Sequence, residues 1–263
     1  MLGQELEESF SNEVICVTDV QRIVFNYLVD ECYEETANAF LHAVCGENPE
    51  ESMEIDNSTN QSQFDITSYA WRTLGDRKVI YRCIQLGCIE EALDLCWAKF
   101  PKSLATNANS HVHWTKLPPE SLTSACFELL CQRFIEFLRN GKSKEALEYA
   151  QSVLGPIAQT KEEYMKALQD IVSLIAYENP YQSPSAFYLN EDRKSSIASL
   201  VNRAILNNFG PSKKQETCLE TLIKQLTIVN TLIGPKNAFI MLGVWKHVDG
   251  YYICNLKVTR LVS

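Results

Sequence analysis

Leu-Gly-Cys-Ile-Glu-Glu-Ala-Leu-Asp-Leu at residues 86–95 and Asn-Gly-Lys-Ser-Lys-Glu-Ala-Leu-Glu-Tyr-Ala at residues 140–150 share the pattern Gly-x-x-x-Glu-Ala-Leu. Apolar residues at helical spacing precede and follow both copies. A glycine that interrupts such a pattern is typical of the left-handed residue that ends a helix. Each copy therefore predicts a helix, a glycine stop and a second helix, which together form one antiparallel hairpin.

The positions that the two copies share predict how each hairpin packs. The alanine leaves room for the neighbouring helix to approach, and the leucine after it can fill the groove beside that alanine. The glutamate stands near the start of the second helix, where negative charge is favoured. The repeated positions are Gly87, Glu91, Ala92 and Leu93 in the first copy and Gly141, Glu145, Ala146 and Leu147 in the second. Stacked hairpins make a helical layer, and such layers mostly present surfaces to other proteins.

Length, charge and cysteine content limit the class of protein. A chain of 263 residues, 46% of them hydrophobic, can bury a stable core. The net charge of −9 argues against nucleic acid and anionic membranes as partners. The start lacks a signal-peptide pattern and no run is apolar enough to span a membrane, so we expect a cytoplasmic or nuclear protein. In that reducing compartment we predict core thiols, with Cys83, Cys88, Cys96, Cys126 and Cys131 at apolar helical positions.

The N-terminal part predicts a separate helical hairpin at residues 14–45. Apolar residues from Val20 to Leu28 form one helical stripe with Asp19 as a plausible N-cap, and a second stripe runs from Thr36 to Val44. A hairpin this small cannot bury both stripes alone, which favours packing against a second copy. Residues 46–70 follow with hardly any apolar side chain and predict an acidic, polar linker.

Helical periodicity resumes after the linker, so the predicted fold is all-α. Residues 71–158 hold the two hairpins, and residues 159–233 hold further amphipathic helices interrupted by Asn179-Pro180 and Ser183-Pro184. We therefore expect stacked antiparallel helices over both regions. The tail at residues 234–263 differs, because the stretches 239–242 and 251–254 are strand-like and Asp249-Gly250 separates them.

The N-terminal hairpin resembles a LisH motif. Its recurring elements are Tyr-Leu at the end of one helix and Tyr, Thr-Ala and Phe in the next, and this chain has Tyr27-Leu28, Tyr33, Thr36-Ala37 and Phe40 in those places. Cys32 stands where the motif usually has glycine. The resemblance implies a dimerisation hairpin, homo- or heterodimeric. The residues it assigns to the dimer are Ile23, Tyr27, Leu28, Tyr33, Ala37 and Phe40.

The following regions resemble the rest of the LisH–CTLH–CRA family. The two repeated hairpins are similar to its CTLH domain, and the stretches 174–184, 201–206 and 219–227 are similar to its CRA region. The resemblance covers residues 19–233 and extends to the Ran-binding-protein-M-like proteins. Fuller members carry a SPRY domain ahead of LisH, so we expect a short isoform or a divergent paralogue. It implies CRA contacts through Leu174, Tyr177, Leu222 and Leu226.

The family resemblance implies a non-catalytic scaffold or adaptor in a CTLH/GID-type ubiquitin ligase, with RING-type subunits among its partners. A RING fold needs runs of Cys and His pairs, and this chain offers only His111-x-His113 followed by Cys126 and Cys131. We expect no metal, cofactor or catalytic residue, because nucleophile and phosphate-loop motifs are missing too. Two alternatives stay open: a LisH-bearing cytoskeletal or microtubule-associated adaptor, and an unrecognised hydrolase or transferase.

Overall fold

The computed structural model describes residues 16–45, 64–106, 113–208, 217–233, 241–248 and 251–258, and it confirms an all-α body. In chain order the helices are α1 Val17–Asp30, α2 Glu34–Cys45, α3 Tyr69–Arg72, α4 Leu74–Leu86, α5 Ile89–Lys99, α6 Pro101–Leu104, α7 Ser124–Arg139, α8 Ser143–Tyr149, α9 Gly155–Ala158, α10 Glu162–Ser173, α11 Asp192–Asn207 and α12 Cys218–Ile233. Short 3-10 turns lie at Trp114–Lys116, Pro119–Ser121, Leu174–Ala176, Pro180–Gln182 and Ala186–Leu189.

The chain divides into two compact units. The first, here the hairpin unit, comprises Met1–Asp30, Glu35–Ile66 and Lys214–Ser263. The second, here the core unit, comprises Glu31–Glu34 and Thr67–Lys213. This division groups α12 with α1 and α2, whereas the sequence pattern assigned residues 159–233 to one region.

The hairpin unit is built around α1 and α2. Phe25 of α1 contacts the ring of Phe64 at 4.7 Å, and Phe40 of α2 meets the same ring edge-on at 6.3 Å. Phe64 is fully buried although it lies in the stretch predicted as a polar linker. The predicted N-cap is wrong, because α1 begins at Val17 and Asp19 lies inside the first turn, paired with Arg22 at 2.8 Å.

Helix α12 and a β-hairpin complete the hairpin unit. A capping box starts α12: the Thr217 hydroxyl accepts from the Glu220 backbone N–H at 3.2 Å, and the Glu220 carboxylate accepts from the Thr217 N–H at 2.9 Å. Helix α12 contacts α1. Strands β1 Met241–Val248 and β2 Tyr251–Val258 pair antiparallel, with Met241 opposite Val258. The strand prediction is thus confirmed at 241–242 and 251–254, while residues 239–240 and 249–250 lie outside the described residues.

The core unit is organised around α7, which is buried on nearly all sides. Helices α5, α8, α10 and α11 all contact α7, and α11 also packs along α4. The apolar residues of α7 are buried on several faces because neighbouring helices surround it, while its charged residues pair with those neighbours. Phe127 of α7 stacks on Tyr164 of α10 with ring centroids 4.1 Å apart.

The two glycine stops have the same backbone geometry. Gly87 has φ +81° and Gly141 has φ +70°. At each stop, the residue after the glycine donates its N–H to a carbonyl five residues back, Cys88 to Cys83 and Lys142 to Phe137, both at 2.9 Å. The glycines themselves donate to Ile84 and Leu138, which completes a Schellman motif at both helix ends. The prediction of left-handed stops is confirmed.

The second hairpin contains an irregular turn that the repeat did not predict. A π-helical turn at Ala150–Leu154 joins α8 to α9. Pro156 follows it and has no N–H to donate to the preceding turn. Widening the helix at this point is the usual adjustment when a regular backbone hydrogen bond cannot form.

Substituting the two glycines with alanine provides a matched test of this geometry. Gly141→Ala is expected to lower the free energy of unfolding by about 1 kcal/mol, because an L-residue is strained at positive φ and nothing else lies within 4 Å of the new Cβ. Gly87→Ala should lower the free energy of unfolding by about 1 kcal/mol more than Gly141→Ala, since the new Cβ would lie 3.0 Å from a Glu136 carboxylate oxygen. Urea denaturation of both variants measures the difference, and equal losses would contradict the role of Glu136.

Candidate interaction surfaces

The structure separates the repeated residues into core and surface. Ala92 and Ala146 are fully buried, as the helix-approach prediction requires, and Leu93 is 1% exposed. Leu147 differs, because it is 41% exposed and fills no groove. Glu91 and Glu145 lie exposed in the first turns of α5 and α8, where a negative charge interacts favourably with the positive end of the helix.

Charged residues of α7 join the repeated hairpins to each other and to α11. Arg133 of α7 lies over the Tyr149 ring at 5.2 Å and pairs with Glu90 of α5 at 2.9 Å. Toward α11, the buried Gln132 donates to Glu136 at 2.8 Å and accepts from Arg193 at 3.1 Å. The core unit therefore holds its helices in a fixed arrangement, which a docking surface requires.

A buried arginine lies at the centre of a second polar cluster in the core unit. Arg77 is 1% exposed. Its guanidinium donates to the Asn202 side-chain oxygen at 2.6 Å and to the Ala70 carbonyl at 2.7 Å. It also donates to the Thr73 hydroxyl and the Cys32 sulfur at 3.2 and 3.3 Å. A buried guanidinium is tolerated only when its N–H groups are satisfied in this way.

Cys32 ties the turn between α1 and α2 to this cluster. Its φ is +63°, the left-handed conformation that glycine adopts without strain, which explains why a glycine suits this place. The thiol donates to Asn202 at 3.2 Å as well as accepting from Arg77. Two ion pairs flank it, Glu34 with Lys78 at 3.2 Å and Glu31 with Arg203 at 4.0 Å. Side-chain contacts thus hold a backbone conformation that a cysteine alone disfavours.

The LisH-like residues divide into three classes of exposure. Ala37 is fully buried, and Tyr33 is 51% exposed in the turn. Between these limits the side chains are half-buried: Ile23, Tyr27, Leu28 and Phe40. A buried residue cannot contact a partner, so Ala37 contributes to the packing of this chain. The half-buried and exposed residues of this set have surface that a partner could contact.

Exposed apolar side chains of the hairpin unit lie beside the predicted positions. Val17 and Val20 are 69% and 48% exposed on one face of α1. Ile223 and Leu226 are 54% and 51% exposed on one face of α12. The sequence prediction included Leu226 but missed the other three, because helical spacing alone does not tell a buried apolar residue from an exposed one.

The predicted CRA contacts are likewise of two kinds. Leu174 is fully buried in the core unit, so it packs within this chain. Tyr177 is 40% exposed and Leu222 of α12 is half-buried. Of these three, Tyr177 presents the most accessible side chain for a partner.

Comparison with known proteins decides the family. Residues 73–233 match the family described as the CTLH/CRA C-terminal to LisH motif domain. The chain belongs to the CTLH/CRA family. It is 27% identical to the glucose-induced degradation protein 8 homolog of Dictyostelium discoideum over 88% of this chain and 86% of that protein. It is 27% identical to the protein GID8 homolog of Arabidopsis thaliana over 94% of this chain and 84% of that protein.

A relative with a different name is also similar to this CTLH/CRA chain. The Ran-binding protein M homolog of Arabidopsis thaliana is 30% identical over 78% of this chain, which matches 41% of that longer protein. The matched family region includes both repeated hairpins and α12, and the resemblance inferred from the sequence motifs is confirmed.

Within the described part of this CTLH/CRA chain, no three His, Cys, Asp or Glu side chains lie close enough together to hold a metal ion. His113 pairs loosely with Asp94 at 3.9 Å, whereas His111 lies outside the described residues. Cys126 and Cys131 are fully buried, and burial raises the pKa of Cys126 to about 12. Among the same residues, no helix is both long and apolar enough to cross a membrane.

The described cysteines of the CTLH/CRA chain include buried, half-buried and exposed thiols. Cys96, Cys126 and Cys131 are core thiols as predicted, and Cys83 is half-buried. Cys88 is exposed, which contradicts the core prediction, because it follows the glycine stop and points away from the packed helices. A hydrogen bond with Thr18 lowers the pKa of the exposed Cys16.

Alkylation with iodoacetamide tests this division of thiols. Cys16 and Cys88 are expected to react in the folded protein at neutral pH, with Cys16 reactive at lower pH than an ordinary thiol because its thiolate is favoured. Cys96, Cys126 and Cys131 should react only after unfolding, since burial raises the pKa of each. Mass spectrometry of digests identifies the labelled sites. Labelling of Cys131 in the folded chain would contradict the packing of α7.

Proposed function

We propose that this chain is a non-catalytic scaffold or adaptor subunit of a CTLH/GID-type E3 ubiquitin ligase. Family membership supports this role, as do relatives named for glucose-induced degradation. The observation that carries the proposal is the exposure of apolar side chains on one face of α1 and on one face of α12. A surface of that kind is stabilised when a partner covers it.

In this proposal the chain joins other subunits through two regions. The LisH hairpin at residues 14–45 and the exposed face of α12 form a homo- or heterodimer. The CRA region at residues 159–233 contacts further subunits, and the assembly includes RING-type subunits. The linker at 46–70 separates the hairpin from the CTLH domain at 71–158, and residues 234–263 form a divergent tail. The assembly works in the cytoplasm, the nucleus or both.

Affinity purification of the tagged full chain from its own cells tests the proposal. We expect RING-bearing subunits at near-stoichiometric amounts, in a complex much heavier than the 29.9 kDa chain. Recovery of cytoskeletal proteins without any ubiquitin-ligase subunit would contradict it and favour the microtubule-associated alternative.

A second assay addresses the absence of catalysis. The purified chain, mixed with ubiquitin and its activating and conjugating enzymes, is expected to form no ubiquitin conjugates above a reaction that lacks the chain. Conjugates formed by the chain alone would overturn the non-catalytic assignment even if the complex were recovered.

A further inference from the structure

An exposed aromatic surface lies in the core unit between α10 and α11. Tyr177, Tyr181 and Phe187 occur within one short segment and are 40%, 66% and 63% exposed. Tyr188 beside them is half-buried, with its ring 4.3 Å from that of Phe187. We call residues 177–188 the aromatic segment. Large rings are seldom left so accessible in one short segment unless a partner uses them.

The backbone of the aromatic segment is held in place by local hydrogen bonds. Asn179 accepts from the Tyr181 N–H at 3.1 Å, and Ser183 accepts from the Ser185 N–H at 3.1 Å. Ser183 and Ser185 are both buried, and the Ser173 hydroxyl at the end of α10 donates to Ser185 at 3.3 Å. The rings therefore project from an ordered base, which lowers the entropy cost of binding.

The charged residues within the stretch 167–192 are all acidic. Residues 167–192 contain no Lys, Arg or His, although the whole chain has 24 Lys and Arg. Asp170, Glu178 and Asp192 are exposed and form no ion pair with any residue that the structure describes. Glu191 is engaged by Arg139 and Lys194. The accessible surface is therefore aromatic and anionic, and its complement is cationic.

The chain itself shows which cation suits these rings. Arg193 places its guanidinium 4.8 Å from the centre of the Tyr188 ring, and the same group pairs with Glu128 at 2.8 Å. Burial and the nearby Asp170 carboxylate raise the pKa of Tyr188, which agrees with an anionic setting. A guanidinium that stacks on a ring and pairs with a carboxylate satisfies both features of the surface.

We propose that the aromatic segment is a docking site for an arginine-bearing, extended segment of a partner protein. Arginine side chains stack on Tyr181 and Phe187 while the carboxylates of Glu178 and Asp170 supply the charge complement. The site goes beyond the scaffold role, because it assigns the chemistry of one bound partner and does not depend on the partner being a ligase subunit.

Fluorescence anisotropy with short labelled peptides tests the site on the full chain. The probes are three glycine-spaced peptides of equal length that carry three arginines, three lysines or three glutamates. We expect the arginine peptide to bind several-fold more tightly than the lysine peptide, because lysine lacks a planar group that stacks. The glutamate peptide should show no binding.

Two variants distinguish this site from the general attraction of a chain with net charge −9. Tyr181→Ala with Phe187→Ala should weaken binding of the arginine peptide at least about tenfold. Asp170→Asn with Glu178→Gln should weaken binding of the same peptide and reduce the salt dependence of that binding. The matched control, Val79→Ala with Leu86→Ala, removes equally exposed apolar side chains elsewhere in the core unit and should change nothing. Equal affinity for the arginine and lysine peptides would overturn the proposal. Binding of the glutamate peptide would overturn it too, and so would a control variant that loses as much affinity for the arginine peptide as the Tyr181 and Phe187 variant.

Discussion

Replacing Arg77 with Met is expected to lower the free energy of unfolding by about 3 kcal/mol. The substitution keeps much of the apolar stem but leaves the Ala70 carbonyl and the Asn202 side chain without the donor that they contact at 2.7 and 2.6 Å. Each buried acceptor that loses a strong donor costs about 1 to 3 kcal/mol, and Asn202 keeps the weaker Cys32 thiol donor at 3.2 Å. Arg77→Lys should lose less, because an ammonium keeps one of these contacts. Urea denaturation followed by circular dichroism measures the change.

Arg82 on the same helix provides the control for Arg77. It is exposed, so Arg82→Met removes the same charge and the same number of donors without burying any acceptor. Arg82→Met is expected to change the free energy of unfolding by less than about 0.5 kcal/mol. If the two variants lost the same stability, the polar cluster around Arg77 would contribute nothing, and the account of the Cys32 turn would be wrong.

Replacing Ile223 and Leu226 together with Lys is expected to weaken self-association of the chain by at least about 100-fold. Both side chains are more than half exposed on α12, so their removal costs little within one chain, whereas a partner would have to bury two ammonium groups. Sedimentation equilibrium over a range of concentrations measures the dissociation constant. Thermal unfolding of the dissociated chain should be unchanged.

The control for this variant is Val79→Lys with Leu86→Lys. These residues are 52% and 67% exposed on α4 in the core unit, so charge and apolar loss are matched. The control should associate like the parent. A parent chain that is monomeric at high micromolar concentration, or a control that dissociates to the same extent, would contradict dimerisation through the hairpin unit. Half-buried Phe40 is a less suitable target, since its truncation also disturbs the packing around Phe64.

Helix stops were predictable from the sequence because the interactions that form them are local. Gly87 and Gly141 end their helices through backbone hydrogen bonds within six residues, and only glycine takes φ near +70° or +80° without strain. The strand-like tail and the helical stripes follow from equally local patterns. These features needed no knowledge of which helices meet.

Exposure at equivalent positions was not predictable, because it depends on neighbours that are remote in the chain. Leu93 and Leu147 hold the same place in the repeat, yet one is buried and the other is 41% exposed. Arg77 looks like an ordinary charged residue of an amphipathic helix. Its partner Asn202 lies 125 positions away, and Cys32 is 170 positions from that asparagine. No local pattern contains such a cluster.

The central claim, that this chain holds a multi-subunit ubiquitin ligase together, is tested most directly by removing the chain from its own cells. The measurement is the native size of the assembly that contains the RING-type subunits, by gradient sedimentation before and after depletion. The account predicts a shift to smaller species, reversed by the parent chain but not by the Ile223→Lys and Leu226→Lys variant. An assembly of unchanged size after depletion would contradict the scaffold function.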